Sequence, residues 1–396
     1  MYDLIVIGGG AAGLFAALSA KAAHAKANVV LLEKSAVLLA KVRISGGGRC
    51  NVTHQCFDPT KLIQNYPRGG QELRGPFHRF QPQDTMQWFE SRGAALKAEP
   101  DGRIFPVTDS SETIINTLLQ EAKALQLEIL MRQKIDKIEK TDQGFQVGPY
   151  TTRKLLLATG SASDGHAWAA QLGHTIEKPV PSLFTFNVPT SPLKELSGIS
   201  HSPVELSIVG APLVQKGALL ITHFGFSGPA ALKLSAWGAK IFHERQYKVP
   251  LSVDWLPDET IPKTFETLLQ LKKTAPQKTL LAENPFKFSK NLWKTLLDND
   301  KRLSDISQKE LQAISQKLHA DIYQIDGKTT HKEEFVTCGG VTLKEVNFKT
   351  MESKICPGLY FAGEILDIDG VTGGFNFQAA WTTGFIAGSS AMEGLN

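Results

Sequence analysis

The chain has 396 residues, of which 42% are hydrophobic and 21% charged, and this ordinary globular composition argues against a disordered protein. Its net charge of +4 is too small to point to a partner by itself. The four cysteines form no CxxC motif or His-rich cluster, so we expect neither a disulfide framework nor a bound metal. No apolar stretch reaches the ~20 residues of a membrane span and no signal-like segment opens the chain, so we expect a cytoplasmic protein without membrane contact.

The N-terminal segment predicts a βαβ unit. Residues 3–8 form an apolar run typical of a buried parallel strand, and the Ala-rich residues 11–25 favour a helix. A second apolar run, Val29–Leu32, predicts the next strand.

Glycines between the first strand and the helix match the GxGxxG fingerprint of dinucleotide binding. Gly8 permits the tight turn, Gly10 lets a pyrophosphate approach the helix N-terminus, and Gly13 lets helix and strand pack closely. Glu33 ends the second strand, where a carboxylate accepts hydrogen bonds from a ribose diol. The fingerprint predicts a dinucleotide cofactor without separating FAD from NAD.

A second Gly-rich segment, Ser45–Asn51, follows Lys41. Its three consecutive glycines expose backbone N–H groups, and Arg49 and Asn51 have side chains suited to phosphate, ribityl or flavin atoms. We interpret it as a ligand loop, with a purely structural turn as the alternative. Cys50 in this loop is a candidate redox or proton-transfer group, and a small buried thiol is the alternative.

The ends of two later predicted strands are further candidates for the dinucleotide site. Ala158–Gly160 ends a strand where the chain turns beside a dinucleotide. The segment Gly358–Glu364 predicts a strand, and Gly373–Gly374 precede a predicted helix at 378–392, where backbone donors can face a flavin ring. Glu364 and Asp369 are candidates for the ribityl chain or phosphate, and helix capping is the alternative for each.

Other segments complete the outline of the chain. Helices are predicted at 82–93, 110–125 and with interruptions over 258–320, and strands at 127–131, 133–140, 144–148, 154–158, 204–209 and 246–253.

Within the motif THFGFSGPA, Pro229 indicates a helix start, whereas His223 is either an acid/base or substrate-contacting residue or a structural histidine. Residues 272–302 hold eight Lys/Arg against three acids, which indicates a solvated helix face or a phosphate-binding surface.

Taken in order, these motifs resemble the bacterial NAD(P)/FAD-dependent oxidoreductases of the BaiN/RdsA type, also described as aminoacetone-oxidase-like FAD-binding flavoproteins. The resemblance covers nearly the whole chain and rests on GGGAAG, SGGGRCN, GRIFP, THFGFSGPA, CGGV and GLYFAGEILDIDGVTGGFNFQAAW. It implies an α/β fold with an FAD-binding Rossmann-type domain (1–187 and 335–396). It also implies an inserted β-barrel (188–255 and 321–334) that itself carries a helical subdomain (256–320).

The resemblance further implies noncovalent FAD. NAD(P)H is expected as a transient electron donor near the flavin, since no second GxGxxG is present. The residues assigned to the cofactor are Gly8, Gly10, Ala11, Ala12, Gly13, Glu33, Lys34, Lys41, Ser45, Gly46, Gly47, Gly48, Arg49, Cys50, Asn51, Ile135, Ala158, Thr159, Gly160, Gly363, Glu364, Asp369, Gly373, Gly374, Phe375, Asn376 and Phe377.

The chain departs from the family pattern at three places. Leu39-Ala40-Lys41 stands where Gly-Arg-Lys is usual, and His54 stands where Asn is common. After Gly160, Ser161–His166 forms a shorter connection than usual. Because this connection helps to shape the active site in our interpretation, the substrate of a family member does not carry over directly.

The leading functional hypothesis is a reductase that passes hydride from the flavin to an unsaturated acceptor. A uridine in ribosomal RNA ranks ahead of a small molecule because the basic residues of 272–302 can contact phosphates. A flavin oxidase of a small amine or aminoketone, which uses dioxygen, is one alternative. A noncatalytic flavin-binding redox sensor is the other.

Overall fold

The structure is a computed structural model that describes residues 1–297, 300–329 and 336–394. The chain forms two compact units, the first of residues 1–182 and 332–396 and the second of residues 183–331. The three-part division expected from the sequence stays a prediction.

Both units contain strands and helices, which are numbered here in chain order. The strands are β1 (Tyr2–Ile7), β2 (Val29–Glu33), β3 (Thr53–His54), β4 (Leu96–Ala98), β5 (Arg103–Pro106), β6 (Glu128–Met131), β7 (Ile138–Thr141), β8 (Gly144–Val147), β9 (Tyr150–Leu157), β10 (Ile176–Ser182), β11 (Thr185–Asn187), β12 (Ser200–Ile208), β13 (Val214–Ile221), β14 (Gly225–Ser227), β15 (Lys248–Asp254), β16 (Asp321–Asp326), β17 (Lys328–Thr329), β18 (Val336–Val341), β19 (Val346–Asn347), β20 (Glu352–Ser353) and β21 (Leu359–Phe361). The helices are α1 (Ala11–Ala23), α2 (Ala40–Gly48), α3 (Pro59–Leu62), α4 (Gly70–Phe77), α5 (Pro82–Glu90), α6 (Ser111–Ala124), α7 (Ser163–Gln171), α8 (Pro229–Trp237), α9 (Ala239–Glu244), α10 (Ile261–Thr274), α11 (Lys290–Leu297), α12 (Gln308–His319) and α13 (Phe375–Ala391).

The first unit is built on a nine-stranded sheet whose parallel strands follow the order β21-β9-β1-β2-β6. Strands β20 and β19 continue it antiparallel beyond β21, and the hairpin β7–β8 joins it through antiparallel pairing of β8 with β9. Ile5 of β1 pairs with Val30 on one side and Leu155 on the other. The consecutive residues of β1 from Leu4 to Val6 are fully buried, so both faces of the sheet are covered. The Rossmann-type fold predicted from the apolar runs is therefore confirmed.

Two smaller sheets complete this unit. Strands β3, β5 and β4 form an antiparallel sheet next to the Gly-rich segment 45–51. Strand β10, which ends at Ser182, pairs antiparallel with β18, with Val180 opposite Cys338. This ribbon joins the two parts of the chain that precede and follow the second unit.

The second unit contains an antiparallel sheet in the order β16-β15-β12-β13-β14-β11-β17. Helices α10, α11 and α12 lie in the chain between the neighbouring strands β15 and β16, as the apolar spacing predicted. Their buried residues, such as Trp293, share one core with Phe186 and Leu251 of the sheet. Closure of this sheet into a barrel stays a prediction.

Two segments differ from the expectations. The connection after Gly160 is only two residues long, because helix α7 begins at Ser163. The pattern missed α7 since its first turn contains Ser, Asp, Gly and His, whereas burial of Trp168 against the rest of the unit stabilises it. The strand predicted at 133–140 is shortened to β7, which begins at Ile138.

Candidate functional site

The turn between β1 and α1 leaves an open space at the start of the helix. Gly10 is the N-cap of α1, which lacks a side-chain cap among the described residues, and a Cβ on Gly10 would meet nothing within 4 Å. A Cβ on Gly13, by contrast, would lie 1.9 Å from the carbonyl oxygen of Gly8. Helix and strand are thus in direct contact beside an open space that faces helix N–H groups, an arrangement suited to a pyrophosphate.

Glu33 is fixed at the end of β2 by two backbone groups. Its Oε2 accepts a hydrogen bond from Gly9 N and its Oε1 accepts one from Ser35 N, both at 2.7 Å. A carboxylate has further lone pairs, so these bonds orient Glu33 and still leave acceptor capacity for a ribose hydroxyl. The neighbouring Lys34 is exposed, with its Nζ 3.4 Å from Oδ2 of Asp164.

An ion pair joins distant motifs beside this turn. Lys41 Nζ lies 2.6 Å from Oε2 of Glu364. A Cβ on Gly160 would lie 3.8 Å from the same oxygen, and a Cβ on Gly363 would lie 2.6 Å from the Cβ of Ala12. The structure therefore brings together the β1–α1 turn, the end of β9, the start of α2 and the segment after β21.

The Gly-rich segment 45–51 is irregular, as predicted, although α2 extends to Gly48. Ser45, Gly46 and Gly47 have non-helical φ and ψ angles within that helix. Gly47 and Gly48 face open space. With its amide oxygen oriented towards Gly374 N, Asn51 accepts a hydrogen bond of 2.9 Å, so this segment contacts the start of α13.

Arg49 is held by protein groups rather than directed into open space. Its Nη1 donates to Oε1 of Glu99 at 2.7 Å, and its guanidinium lies 4.0 Å from the ring centre of Phe105. Asp109 Oδ1 also lies near the same nitrogen, at 3.5 Å. A phosphate contact by Arg49 would therefore compete with two carboxylates.

Cys50 is fully buried and has a positive φ of 61°. Burial raises the pKa of its thiol to about 12, so the thiol stays protonated near neutral pH. Thiolates, not thiols, act as nucleophiles, and a buried thiol of raised pKa is inert. These properties favour the alternative of a small buried thiol.

We therefore expect Cys50→Ala to change the rates of flavin reduction and reoxidation by less than about twofold. Rapid-mixing absorbance measurements from roughly pH 6 to 9 should give the same profile as the parent protein, because the Cys50 thiol stays protonated below its pKa of about 12. Cys338→Ala, at another fully buried cysteine, is the matched control. A loss above about a hundredfold confined to Cys50→Ala would establish a chemical role for this thiol.

Helix α13 begins at the second Gly-rich turn. Gly374 is its N-cap with φ 90°, and Phe375 is buried, with its ring stacked on His54 at a centroid distance of 4.7 Å. The Asn376 amide accepts from Gly370 N at 2.8 Å and donates to Gly370 O at 2.9 Å. The Asn376 side chain therefore fixes the turn before α13, and the first backbone N–H groups of the helix remain directed towards its N-terminal end.

Several residues assigned to the cofactor are buried, among them Asp369 and Ile135. Asp369 has no exposed surface, and it accepts hydrogen bonds from two nitrogens of Arg68 and, at 2.7 Å, from Ser182 Oγ. Burial raises the pKa of Asp369. Ile135 is buried in the segment before β7, with its Cδ1 3.5 Å from the position of a Cβ on Gly148. For Asp369 the geometry indicates an internal role that the sequence could not distinguish from a ligand contact.

His223 lies in the second unit, exposed in the tight turn between β13 and β14. Thr222 and Gly225 close this turn through reciprocal backbone hydrogen bonds of 2.7 and 3.2 Å. The turn presents His223 and Phe224 to solvent, and Phe224 is 61% exposed. A functional role of His223 stays a prediction.

The sequence did not identify Tyr66 and Arg68, which contact the turn before α13. The only local signal was the pair Gly69-Gly70 after Pro67, which is typical of a turn. Their contacts lie about three hundred residues away along the chain, beyond the reach of a local pattern.

Comparison with known families decides the class of protein. Residues 2–390 match the family described as "HI0933-like protein Rossmann domain". The chain belongs to the HI0933-like family. Members of this family are FAD-dependent oxidoreductases, and the chain is an enzyme of that class. The resemblance inferred from the motifs is thereby confirmed.

Two relatives of this HI0933-like chain match over nearly their whole length. A 3-dehydro-bile acid delta(4,6)-reductase of Clostridium scindens is 27% identical, with 98% of each chain covered. A ribosomal RNA dihydrouridine synthase of Escherichia coli is 29% identical, with 96% of each covered. The fold also resembles that of a 3-ketosteroid-delta4-(5alpha)-dehydrogenase of Rhodococcus jostii (TM-score 0.53, 15% identity, 99% of this chain and 97% of the other).

The geometry of the first unit fits FAD. The open space at Gly10 can admit a pyrophosphate, which a Cβ would obstruct, and Glu33 is placed for a ribose. No group of three or more metal-ligating side chains occurs in the part of the chain that the structure describes. Among the same residues, no helix is both long and apolar enough to cross a membrane.

Proposed function

We propose that this HI0933-like chain is a reductase that takes electrons from NAD(P)H and passes hydride from FAD to an unsaturated carbon–carbon bond. The observation that carries the proposal is the convergence, in one unit, of an open helix N-terminus at Gly10, the oriented carboxylate of Glu33 and the turn that begins α13. When bound, FAD supplies the two-electron chemistry, and the protein supplies binding, orientation and electrostatics.

Each part of the site has a distinct role in this proposal. The N-terminus of α1 and Lys41 provide positive potential for the pyrophosphate, and Glu33 accepts from the ribose. The N-terminus of α13 favours negative charge on the reduced ring, because helix N–H groups stabilise anions. Glu364, paired with Lys41, orients the lysine between the two turns.

The reduction of a double bond is supported by the two relatives. One is named for reducing delta(4,6) double bonds and the other for forming dihydrouridine, and both names denote hydrogen addition to an unsaturated ring. The test is a turnover assay with NADH or NADPH, unmodified rRNA or an unsaturated steroid, and mass spectrometry. A product that gains two hydrogen atoms supports the proposal, whereas hydrogen peroxide formation without such a product contradicts it.

Ribosomal RNA is the substrate that we propose to test first, and α11 supports this choice. Its buried face contains Leu292, Trp293 and Leu296, while Lys290 and Lys294 lie on its exposed face. Lys287 is also exposed and precedes the first residue of the helix by three positions. These three lysines make no ion pair with any residue that the structure describes. Their spacing gives a row of charge suited to successive phosphates.

Replacing Lys287, Lys290 and Lys294 by Gln is expected to weaken rRNA binding and to flatten its salt dependence. The slope of log K against log salt should fall in magnitude by about 2, since each single-strand phosphate contact contributes roughly 0.7. The control is the triple change of Lys26, Lys134 and Lys137, which are exposed in the first unit. Equal slopes for the two triple variants, measured by filter binding, would contradict this RNA surface.

A further inference from the structure

A short segment, Asn65–Gly69, lies along the turn Ile368–Phe375 that leads into α13. Asn65 O accepts from Val371 N at 2.8 Å in the middle of this turn. Near its beginning, a Cβ on Gly69 would lie 2.5 Å from Cγ1 of Ile368, so no side chain fits between them. The Asn65–Gly69 segment therefore contacts the turn at several points.

Tyr66 holds the end of the turn. Its hydroxyl donates to the carbonyl oxygen of Phe375, the first residue of α13, at 2.7 Å, and its ring meets that of Phe375 edge to face at 6.1 Å. Tyr66 is almost fully buried, and burial raises the pKa of its phenol well above the ordinary value. The phenol therefore stays a hydrogen-bond donor throughout the neutral range. His54 stacks on the same Phe375 ring, so both the carbonyl and the ring of this residue are fixed.

Arg68 holds the beginning of the turn. Two of its guanidinium nitrogens donate to the carboxylate of Asp369, and the two residues also form a backbone bridge. Ser182 Oγ donates to the same carboxylate at 2.7 Å. A buried carboxylate with an arginine and a hydroxyl as donors is fixed in orientation, whereas removal of the arginine would leave an uncompensated buried charge.

We propose that Tyr66 and Arg68 are positioning residues that fix the direction of the first backbone N–H groups of α13 and thereby stabilise the reduced flavin. This inference rests on the proposed function, because it requires the flavin ring to lie at that helix N-terminus. Neither side chain needs to touch the cofactor. Their effect passes through Phe375 and Asp369, the residues they bind at the two ends of the turn.

The test compares Tyr66→Phe with a matched control, Tyr150→Phe, in the FAD-loaded protein. Tyr150 lies in β9, and its hydroxyl donates to Gln133 Oε1 at 2.9 Å, so each change removes one phenolic hydrogen bond. The flavin midpoint potential is measured against reference dyes over a range of pH. We expect a tenfold loss of preference for the reduced form in Tyr66→Phe, about 30 mV for a two-electron couple, and no change in Tyr150→Phe.

The pH dependence gives a second readout. If the α13 N–H groups stabilise the reduced anion, the pKa at which the reduced flavin takes up a proton should rise in Tyr66→Phe, a shift that general loosening of the fold would not produce. A parent-like potential and pH profile in Tyr66→Phe would overturn the inference while the proposed function stands. A parent protein that binds no FAD would overturn both.

Ser182→Ala is the second variant, because it removes only one hydrogen bond from Asp369 and leaves the Arg68 pair intact. If Tyr66→Phe fails to retain FAD, the flavin midpoint potential of Ser182→Ala tests the positioning inference instead. A shift of about threefold in the same direction supports positioning through Asp369, since Ser182→Ala removes one of the donors that orient this carboxylate. An unchanged potential overturns it.

Discussion

Replacing Gly10 by valine is expected to weaken FAD binding about thirtyfold while leaving the fold of the apoprotein unchanged. A Cβ at Gly10 would meet no protein atom within 4 Å, and the backbone there (φ −81°, ψ −171°) is extended and open to any residue. Valine therefore fills only the space assigned to the pyrophosphate. Overlap between the valine side chain and the pyrophosphate costs about 2 kcal/mol of binding free energy, which corresponds to the thirtyfold change in affinity.

The measurement is titration of the apoprotein with FAD, followed by flavin fluorescence, together with thermal unfolding without FAD. Gly75→Val is the control, since Gly75 in α4 also faces open space but lies outside the candidate site. Parent-like FAD affinity in Gly10→Val would show that the space at the start of α1 does not hold the cofactor. An equal loss of apoprotein stability would likewise contradict the assignment.

Replacing Gly388 by alanine is expected to destabilise the first unit by about 3 kcal/mol, because its Cβ would lie 2.0 Å from the carbonyl oxygen of Ala16. Gly388 lies in α13 and Ala16 in α1, so the contact holds the two helices whose N-termini form the candidate site. Relief of the clash would require the helices to separate. The unfolding midpoint should fall by roughly 8 °C for a unit of this size.

Gly75→Ala is the matched substitution, since it places the same methyl group in a helix without any neighbour within 4 Å. Alanine has the higher helix propensity, so this control should be neutral or slightly stabilising. Differential scanning calorimetry of both apoproteins provides the comparison. Equal midpoints for Gly388→Ala and the parent would mean that α1 and α13 do not pack this closely.

The sequence predicted those parts of the site that local pattern determines. Gly8, Gly10 and Gly13 occur between an apolar strand and an Ala-rich helix, and that order defines the β1–α1 turn. Glu33 follows from the end of the next strand, and the structure places its carboxylate against the same turn. The apolar spacing likewise predicted α10, α11 and α12.

Contacts between distant parts of the chain were not predictable in this way. Asp369 was predicted to contact the cofactor or to cap a helix, and neither alternative anticipates its bond to Arg68, 301 residues away. The ion pair between Arg49 and Glu99 was likewise not predicted, and the proposed contact of Arg49 with a phosphate or flavin atom stays a prediction. A single sequence does not show which charged residues will form an ion pair with one another, because tertiary packing determines the pairing.

An anaerobic absorbance scan of the purified protein after FAD loading tests both the cofactor and the electron donor. We expect flavin bands that NADH or NADPH bleaches and that return when unmodified rRNA or another unsaturated acceptor is added. Absence of flavin bands even after incubation with FAD would contradict the cofactor site of the first unit. Bound flavin that neither nucleotide bleaches would contradict the NAD(P)H-dependent reductase.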